Sequence, residues 1–236
     1  MEAKKEYRRG LKDGIPIGLG YLSVSFTFGM MAAAAGVPPV VAVLISLTNL
    51  TSAGQFAGLS LMIAHGSLIE MALTQLTINL RYALMSLSLS QKLEPGITIV
   101  QRCLVAFGNT DEIFALASGQ EGKVSRWFMY GLMTLPIICW TSGTLLGAVA
   151  NSLLPDLLRS ALGIAIYGMF LAIIIPPAKK IASIRKVLIF SILLSCAFYY
   201  LPVLKALSNG FVIILCAVAA SAFGALMFPV KEADPL

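Results

Sequence analysis

Apolar stretches close to the length of a membrane span occupy most of this chain and limit what it can fold into. They cover residues 14–35, 40–64, 68–90, 97–118, 127–150, 157–175, 187–203 and 210–228. A helix of about 20 apolar residues crosses the hydrocarbon core of a bilayer. Hydrophobic residues make up 58% of the chain, charged residues 12%, and the mean hydropathy is +0.88, which exceeds what a soluble core uses. The sequence therefore predicts an all-α, polytopic integral membrane protein.

Short connections separate the eight apolar stretches. Several of them, such as 36–39, 65–66, 94–96 and 208–210, contain the glycine, proline or asparagine that favours turns. None is long enough for a soluble domain. Residues 1–236 are therefore expected to form a single transmembrane domain. The first stretch exceeds the apolar part of a signal peptide and is interpreted as a retained helix.

Basic residues set the expected orientation, because Lys and Arg collect in cytoplasmic loops. With the N-terminus inside and all eight stretches crossing, the cytoplasmic side holds Lys4, Lys5, Arg8, Arg9, Lys12, Lys123, Arg126, Lys179, Lys180, Arg185, Lys186 and Lys231, and the outside holds Lys92, Arg159 and Lys205. If the polar stretch 97–118 does not cross, the cluster at 179–186 moves outside, unless another stretch also fails to cross. Eight transmembrane helices with both termini cytoplasmic are expected.

The remaining composition excludes some functions. The net charge of +6 comes from residues that flank apolar stretches, so it indicates topology and no nucleic acid partner. Cysteines occur singly within apolar stretches, at Cys103, Cys139, Cys196 and Cys216, and His65 is the one histidine. Because no Cys-x-x-Cys or Cys/His pattern is present, neither a metal nor another cofactor is expected.

Arg81 lies inside the apolar stretch 68–90, far from any connection. A guanidinium stays charged, and such a residue at the centre of a membrane helix costs roughly 3 kcal/mol on insertion scales. It is kept where it faces a polar cavity, a partner residue or a substrate. Arg81 therefore makes solute transport the leading functional hypothesis.

The second apolar stretch is interrupted near its middle by the polar and small residues 48–55. Broken helices in transporters offer free backbone groups to a substrate at this depth. The sequence predicts a discontinuous second helix, whose half near Gln55 points its N-terminus toward a carboxylate. Asn49, Gly54 and Gln55 are candidate substrate-binding residues. The alternative is that the small residues pack helices closely.

Two adjacent carboxyl groups, Asp111 and Glu112, lie within the fourth apolar stretch. One is expected to take up a proton and couple it to transport, because burial disfavours a charged carboxylate. The other is expected to pair with Arg81 or Arg102. Counting 1.5 Å per residue separates Arg81 from Asp111 by about 10 Å along the membrane normal, so a direct pair requires a bent or short helix. Alternatively, the stretch ends early and the acids cap a helix at the cytoplasmic edge.

The first stretch carries closely spaced glycines after Pro16, followed by Tyr21, which brings a hydroxyl into the membrane. Gly18 and Gly20 are expected to pack against a neighbouring helix. Tyr21 is a further candidate substrate-binding residue, as is Asn79 beside Arg81.

Four short motifs follow one another along the chain. They are Pro-Ile-Gly-Leu-Gly-Tyr at 16–21, Ala-Gly-Gln-Phe at 53–56, Asn-Leu-Arg-Tyr at 79–82 and Thr-Asp-Glu at 110–112. In order and interval they resemble the AzlC family of bacterial branched-chain amino acid permeases and exporters, the azaleucine-resistance type. The resemblance covers nearly the whole chain. One departure is Tyr82, where the family often has His after the arginine.

The resemblance implies a secondary transporter of the bacterial plasma membrane that exports Leu, Ile, Val and similar amino acids such as Met, driven by protons. It also implies a small AzlD-type membrane subunit as partner. In this hypothesis Arg81, or the helix terminus near Gln55, holds the substrate carboxylate. Asn49, Asn79 or an acidic residue binds the ammonium group, and Asp111 or Glu112 carries the proton.

Two other classes of function remain open. One is a membrane-embedded enzyme using Asp111 and Glu112, but no Ser/His/Asp set, metal motif or phosphate loop supports it, so no enzymatic activity is expected. The other is a scaffold or regulatory subunit whose partner carries the pore. Arg81 and Asp111 would then form a purely structural pair.

Overall fold

The structure is a computed structural model that describes residues 2–151, 153, 155, 171, 174–201 and 207–229. Its named helices are α1 (Glu2–Ala34), α2 (Pro39–Thr48), α3 (Ser52–Ile63), α4 (Leu68–Lys92), α5 (Ile99–Phe107), α6 (Asp111–Ser118), α7 (Arg126–Ala150), α8 (Ala182–Tyr200) and α9 (Asn209–Met227). Within the described ranges there is no strand, and one isolated bridge joins Leu93 to Val124. The all-α prediction is confirmed.

The contacts of the chain divide it into two units. The first comprises Met1–Phe56 and Asn79–Ile166, and the second Ala57–Ile78 and Tyr167–Leu236. Every candidate site residue belongs to the first unit. The single domain over residues 1–236 stays a prediction. The crossing of stretch 157–175 also stays a prediction, since most of it lies outside the described residues, as do Arg159, Lys205 and Lys231.

Helices α1 and α7 lie side by side in the first unit and run in the same direction. Gly10 lies against the backbone of Phe128, and Gly29 lies against the backbone of Thr144. Residue numbers therefore rise together along the two helices. The absent side chains let the two backbones approach closely, as small residues do between membrane helices. The two ends of the pair are named here after α7, as the Arg126 end and the Ala150 end.

The two glycines predicted to pack helices differ. Gly18 lies on the α1–α7 interface, where an added Cβ would be 3.2 Å from the Cys139 sulfur. A Cβ at Gly20 would meet no described atom within 4 Å. The prediction is confirmed for Gly18 and wrong for Gly20, because Gly20 lies on a different side of α1.

The second apolar stretch forms a helical hairpin that opens toward the Ala150 end. Ser46 of α2 lies 2.6 Å from Thr144, oxygen to oxygen. The helix breaks at 49–51, and Phe56 of α3 then packs against Phe28, with 5.5 Å between ring centroids. Because Phe28 neighbours the last turns of α7, α3 runs back toward the Ala150 end. The discontinuous second helix is confirmed, and α2 has 10 residues, about the length of half the hydrocarbon core.

The fourth apolar stretch forms a second hairpin, which opens toward the Arg126 end. The Arg126 guanidinium Nη1 donates to Gln101 Oε1 near the start of α5, at 3.3 Å. The helix breaks at 108–110, and α6 ends where Lys92 Nζ donates to the carbonyl oxygen of Ser118. The start of α5 and the end of α6 therefore lie at the same end of α7.

The prediction that 97–118 crosses the membrane is not confirmed for this reason. The connection after α4 also lies at the Arg126 end, since the Glu94 amide donates to the Val124 carbonyl at 2.9 Å and the Arg126 amide donates to Glu94 Oε1 at 3.1 Å. A buried apolar cluster holds the hairpin against α4 and α7, and it includes Leu89, Leu93, Val105, Ile113, Ala117, Val124, Phe128 and Leu132. The predicted count of eight crossings is not confirmed, because stretches two and four both turn back.

Helices α1 to α6 repeat one pattern in opposite directions. A long helix precedes a broken hairpin twice, first as α1 with α2–α3 and then as α4 with α5–α6. Helix α4 ends at the Arg126 end, so it runs opposite to α1. Tyr21 and Arg81 lie sixty residues apart, as do Asn49 and Asn109 at the two breaks. Inverted repeats of this kind are common in secondary transporters.

Helices α8 and α9 pack together in the second unit. The rings of Phe190 and Phe223 stack with centroids 4.4 Å apart. Glu70 is buried and accepts a hydrogen bond from the Gly210 amide at 2.8 Å, which places a carboxylate at the N-terminus of α9. In the described part of the chain, four segments are long and apolar enough to cross a membrane: Ile15–Ala34, Arg126–Ala150, Ala182–Tyr200 and Asn209–Met227.

Candidate functional site

A partly open cavity of about 220 Å³ lies between the tips of the two hairpins in the first unit. We call it the amide cavity. It is lined by Thr48, Asn49, Leu50, Thr51, Asn79, Tyr82, Ala106, Phe107 and Asn109. These residues supply amides, hydroxyls and apolar surface, and none carries a full charge. The volume lies below the 300–1,000 Å³ usual for drug-sized ligands, so the cavity suits a small solute.

A smaller pocket of about 30 Å³ adjoins this cavity. We call it the carboxyl pocket, and it is lined by Tyr21, Leu50, Ser52, Tyr82, Thr110, Asp111, Glu112 and Trp140. Leu50 and Tyr82 line both spaces and so form the wall between them. Neutral hydrogen-bonding groups therefore lie on one side of this wall and two carboxyl groups on the other.

Arg81 forms an ion pair with Asp111. Arg81 Nη2 is 2.9 Å from Asp111 Oδ2, and about half of each side chain is exposed. The break at 108–110 makes this possible, because it ends α5 early and starts α6 at Asp111 beside the middle of α4. The bent fourth helix that a direct pair requires is therefore present. Arg102 instead donates to Ser90 Oγ at 2.6 Å.

Tyr82 connects the ion pair to the first hairpin tip. Arg81 Nη2 lies 3.4 Å from the Tyr82 hydroxyl, and the guanidinium carbon lies 5.0 Å from the ring centroid. The same hydroxyl shares a hydrogen bond with the side chain of Thr51. A movement of Arg81 would therefore shift Tyr82, which forms part of the wall of the amide cavity.

Tyr21 holds the second carboxyl group. Its hydroxyl donates to Glu112 Oε2 at 2.5 Å and lies 2.6 Å from Thr110 Oγ1. Its ring packs edge-on against Trp140, with centroids 5.3 Å apart. Asp111 and Glu112 lie in the first turn of α6, where the helix dipole favours negative charge. Asp111 pairs with Arg81 of α4, and Glu112 accepts from Tyr21 of α1.

Gln55 takes part in a buried network behind the first tip. It is 1% exposed, donates to Ser46 Oγ at 2.6 Å and accepts from Trp140 Nε1 at 2.9 Å. Its amide therefore fixes the hairpin to α7 and does not line the amide cavity. Helix α3 starts at Ser52 and Gln55 lies in its first turn, so the predicted half-helix near Gln55 is present, and its role toward a carboxylate stays a prediction.

The other predicted site residues are distributed as follows. Asn49 and Asn79 line the amide cavity. Gly54 is buried in the first turn of α3, and its amide donates to Thr51 Oγ1 at 3.4 Å. The structure thus brings together Asn49, Asn79, Arg81, Asp111, Glu112 and Tyr21 around the two hairpin tips, and their roles in binding or proton transfer stay predictions.

Sequence reasoning missed Asn109 as a candidate. It is 2% exposed, lies in the second break and lines the amide cavity. A signal for it existed in the sequence, since Asn109 follows Asn49 by sixty residues and Arg81 follows Tyr21 by the same interval. That spacing gains meaning once the two hairpins are known to be repeats.

The fold and this site define an all-helical, multi-pass membrane protein with two broken helices around a polar cavity. The chain matches the family described as AzlC protein over residues 16–154, which contain α1 from Pro16, both hairpins and α7. It therefore belongs to the AzlC family, and the resemblance drawn from its motifs is confirmed.

Individual relatives agree with this class. The chain is 34% identical over 175 residues to an uncharacterized membrane protein of Archaeoglobus fulgidus, covering 73% of this chain and 76% of that one. It is 29% identical over 181 residues to the inner membrane protein YgaZ of Escherichia coli, covering 74% of each. An uncharacterized membrane protein of Helicobacter pylori is 30% identical over 154 residues, covering 62% of this chain and 67% of its own. No solved structure matches the chain.

Proposed function

We propose that this protein is a secondary transporter that exports branched-chain amino acids, Leu, Ile and Val and also Met, across the bacterial inner membrane. We further propose that export is coupled to protons and requires a small AzlD-type membrane subunit. One observation carries the proposal: the tips of two inverted broken hairpins line a small, partly open polar cavity beside the Arg81–Asp111 pair. Membership of the AzlC family supports it.

The amide cavity suits a zwitterion. Helices α2 and α5 end at this cavity, at Thr48 and Phe107, and helix C-termini favour cations. Helix α3 begins beside it at Ser52, and helix N-termini favour carboxylates. Opposite ends of an amino acid therefore find opposite partial charges, while Leu50 and Phe107 offer apolar surface to a branched side chain.

The Arg81–Asp111 pair suggests how proton movement is coupled to substrate binding. Protonation of Asp111 removes its charge, and the Arg81 guanidinium is then released to bind a substrate carboxylate. Loss of the proton restores the pair and expels the carboxylate, so in this scheme a proton and the substrate are carried together. Glu112, Tyr82 and Tyr21 are the other ionisable groups around this pair, and the Tyr21–Glu112 hydrogen bond keeps Glu112 engaged throughout.

The inverted hairpins suggest a route. The α2–α3 hairpin opens toward the Ala150 end and the α5–α6 hairpin toward the Arg126 end, so each tip closes the cavity from a different side. Rocking of one repeat against the other would expose the cavity alternately. Helix α8, which has no buried residue, offers a face for the partner subunit in the second unit.

Flux measurements test the proposal. Vesicles that contain this chain, with or without the small subunit, are loaded with labelled leucine, isoleucine, valine or methionine at several imposed pH gradients. We expect saturable efflux that depends on the gradient and on the partner. Absence of flux for all four amino acids in both preparations would contradict the proposal.

A non-transporting scaffold is the second candidate, and the closed Arg81–Asp111 pair favours it. The double variant Arg81→Leu with Asp111→Leu separates the two, since a structural pair replaced by apolar residues is often neutral, whereas a binding site is lost. The readout is partner capture together with flux. If the double variant keeps partner capture but loses flux, the transporter is supported. If the double variant keeps capture and the wild type itself shows no flux, the scaffold is supported.

A further inference from the structure

The amide of Asn109 has one polar atom that the described protein does not use. Asn109 Nδ2 donates to Ser86 Oγ at 3.3 Å. Oδ1 is buried and accepts no hydrogen bond from any residue that the structure describes. Buried amide oxygens nearly always have a partner. Since Asn109 is 2% exposed and lines the amide cavity, the partner of Oδ1 is expected to come from the cavity.

Two of the helix ends near Asn109 favour a cationic donor, whereas the N-termini of α3 and α6, at Ser52 and Asp111, favour an anion beside it. The C-terminal ends of α2 and α5 meet at this cavity, and each carries a partial negative charge. No ionised side chain lines the cavity among the described residues. An ammonium group brings three donors and no acceptor, so it matches an unused carbonyl oxygen between two helix C-termini.

We propose that the amide cavity selects its solute by a primary ammonium group, and that Asn109 Oδ1 accepts one of that group's hydrogen bonds. Asn49, the equivalent residue of the first tip, lines the same cavity and accepts a second. This assignment rests on the proposed transport function and deepens it, because it names the substrate feature that is bound before Arg81 is released to the carboxylate.

The test separates the ammonium from the carboxylate. Thermal unfolding of the purified full chain in detergent is followed with leucine, with 3-methylbutylamine, which lacks the carboxylate, and with 4-methylpentanoate, which lacks the ammonium. Leucine and the amine are expected to raise the unfolding temperature, and 4-methylpentanoate is not. Asn109→Leu is expected to raise the amine concentration for a half-maximal shift by about tenfold or more.

Two further variants keep the result interpretable. Asn109→Asp retains carbonyl-type acceptors and should retain amine binding. Asn151→Leu is the matched control, because the Oδ1 of Asn151 is also buried without a partner in the described part but does not line the cavity. Equal amine binding by Asn109→Leu and wild type would overturn the proposal. So would loss of amine binding in Asn109→Asp, or an unshifted wild type with both leucine and the amine.

Leucine flux in vesicles from the same preparations distinguishes this inference from the proposed function. Amine binding that depends on Asn109 without any amino acid flux would leave the ammonium site standing and overturn the transporter. Leucine flux with an unchanged KM in Asn109→Leu would leave the transporter standing and overturn the ammonium site.

Discussion

Arg81 and Asp111 neutralise each other within a chain that has few charged residues. Their separation of 2.9 Å and half-exposed side chains describe a pair that is closed but still reachable. Burying such a pair fully would make it costly to open, whereas partial exposure keeps both the paired and the separated states accessible. This property is what proton-coupled binding of a substrate carboxylate requires.

Arg81→Lys tests whether the shape of the guanidinium matters. Lysine keeps the charge but loses the planar set of donors that grips a carboxylate with two parallel hydrogen bonds. We expect leucine flux to fall by more than about tenfold, while the folded protein is retained at wild-type levels in size-exclusion chromatography. Arg102→Lys is the control, because Arg102 contacts Ser90 away from the pair and should keep its flux. Normal flux in Arg81→Lys contradicts the carboxylate role.

Tyr21→Phe tests the hydrogen bond to Glu112. The variant removes the hydroxyl but keeps the ring against Trp140, so we expect normal stability and flux reduced by about tenfold, the effect of losing a hydrogen bond to a charged group. Tyr7→Phe is matched to it, since the Tyr7 hydroxyl also joins α1 to another helix, 3.0 Å from Thr134 Oγ1. Equal flux in the two variants would show that Tyr21 acts only through its ring.

The sequence alone identified most individual residues of the site but not the residues that they contact. Arg81, Asp111 and Glu112 stand out because charge is rare in apolar stretches, and their types alone make them candidates. The Arg81–Asp111 pair was expected to need a bent helix, and the bend depends on where α5 stops. That position is set by packing of the hairpin against α4 and α7, which a single sequence does not display.

Glycines at the interface let the backbones of helices α1 and α7 pack closely against each other. A Cβ at Gly147 would overlap the carbonyl oxygen of Phe26, and the two backbones would have to separate. Gly147→Ala is therefore expected to destabilise the purified protein by about 1–3 kcal/mol. Gly20→Ala is the control, since its Cβ would meet no described atom within 4 Å. Thermal unfolding of both variants in detergent measures the difference, and equal unfolding temperatures would argue against this interface.

The Gln55 network fixes the first hairpin to α7. Gln55→Leu leaves the buried Trp140 Nε1 and Ser46 without their amide partner, which costs about 1–3 kcal/mol. We expect a lower unfolding temperature and a red-shifted, broadened Trp140 emission as the hairpin loosens. Gln91→Leu, at an exposed position of α4, is the control and should unfold like wild type. An unchanged unfolding temperature in Gln55→Leu would contradict the anchoring role.

Among the elements, the first break was predictable and the second was not. The run 48–55 concentrates polar and small residues between two apolar halves, which indicates a broken helix directly. The stretch 97–118 has the length of a span, and only contacts such as Glu94 with Arg126 show that it turns back. Length and hydropathy are the same for a crossing and for a hairpin, so they do not separate the two.

For the whole molecule, fewer crossings than the sequence predicts would also satisfy the charge rule. If only the fourth stretch turned back, the basic cluster at 179–186 would lie outside. If the second stretch turns back as well, this cluster returns to the cytoplasmic side, and both termini would be cytoplasmic provided that 157–175 crosses. We therefore expect six crossings, with Lys92 joining the cytoplasmic side.

Thiol labelling distinguishes six crossings from eight. In a variant without Cys103, Cys139, Cys196 and Cys216, single cysteines are introduced at exposed positions as Pro95→Cys, Glu121→Cys and Ala35→Cys. An impermeant maleimide added to intact cells should label only Ala35→Cys, and the other two should react after the membrane is opened. With eight crossings, the stretch 97–118 crosses the membrane and places 94–96 outside and Glu121 inside. Pro95→Cys would then react in intact cells. The Val124 amide donates to the Lys92 carbonyl at 2.9 Å, so the connections that hold Pro95 and Glu121 lie on the same side of the membrane. In the six-crossing arrangement that side is the cytoplasmic one.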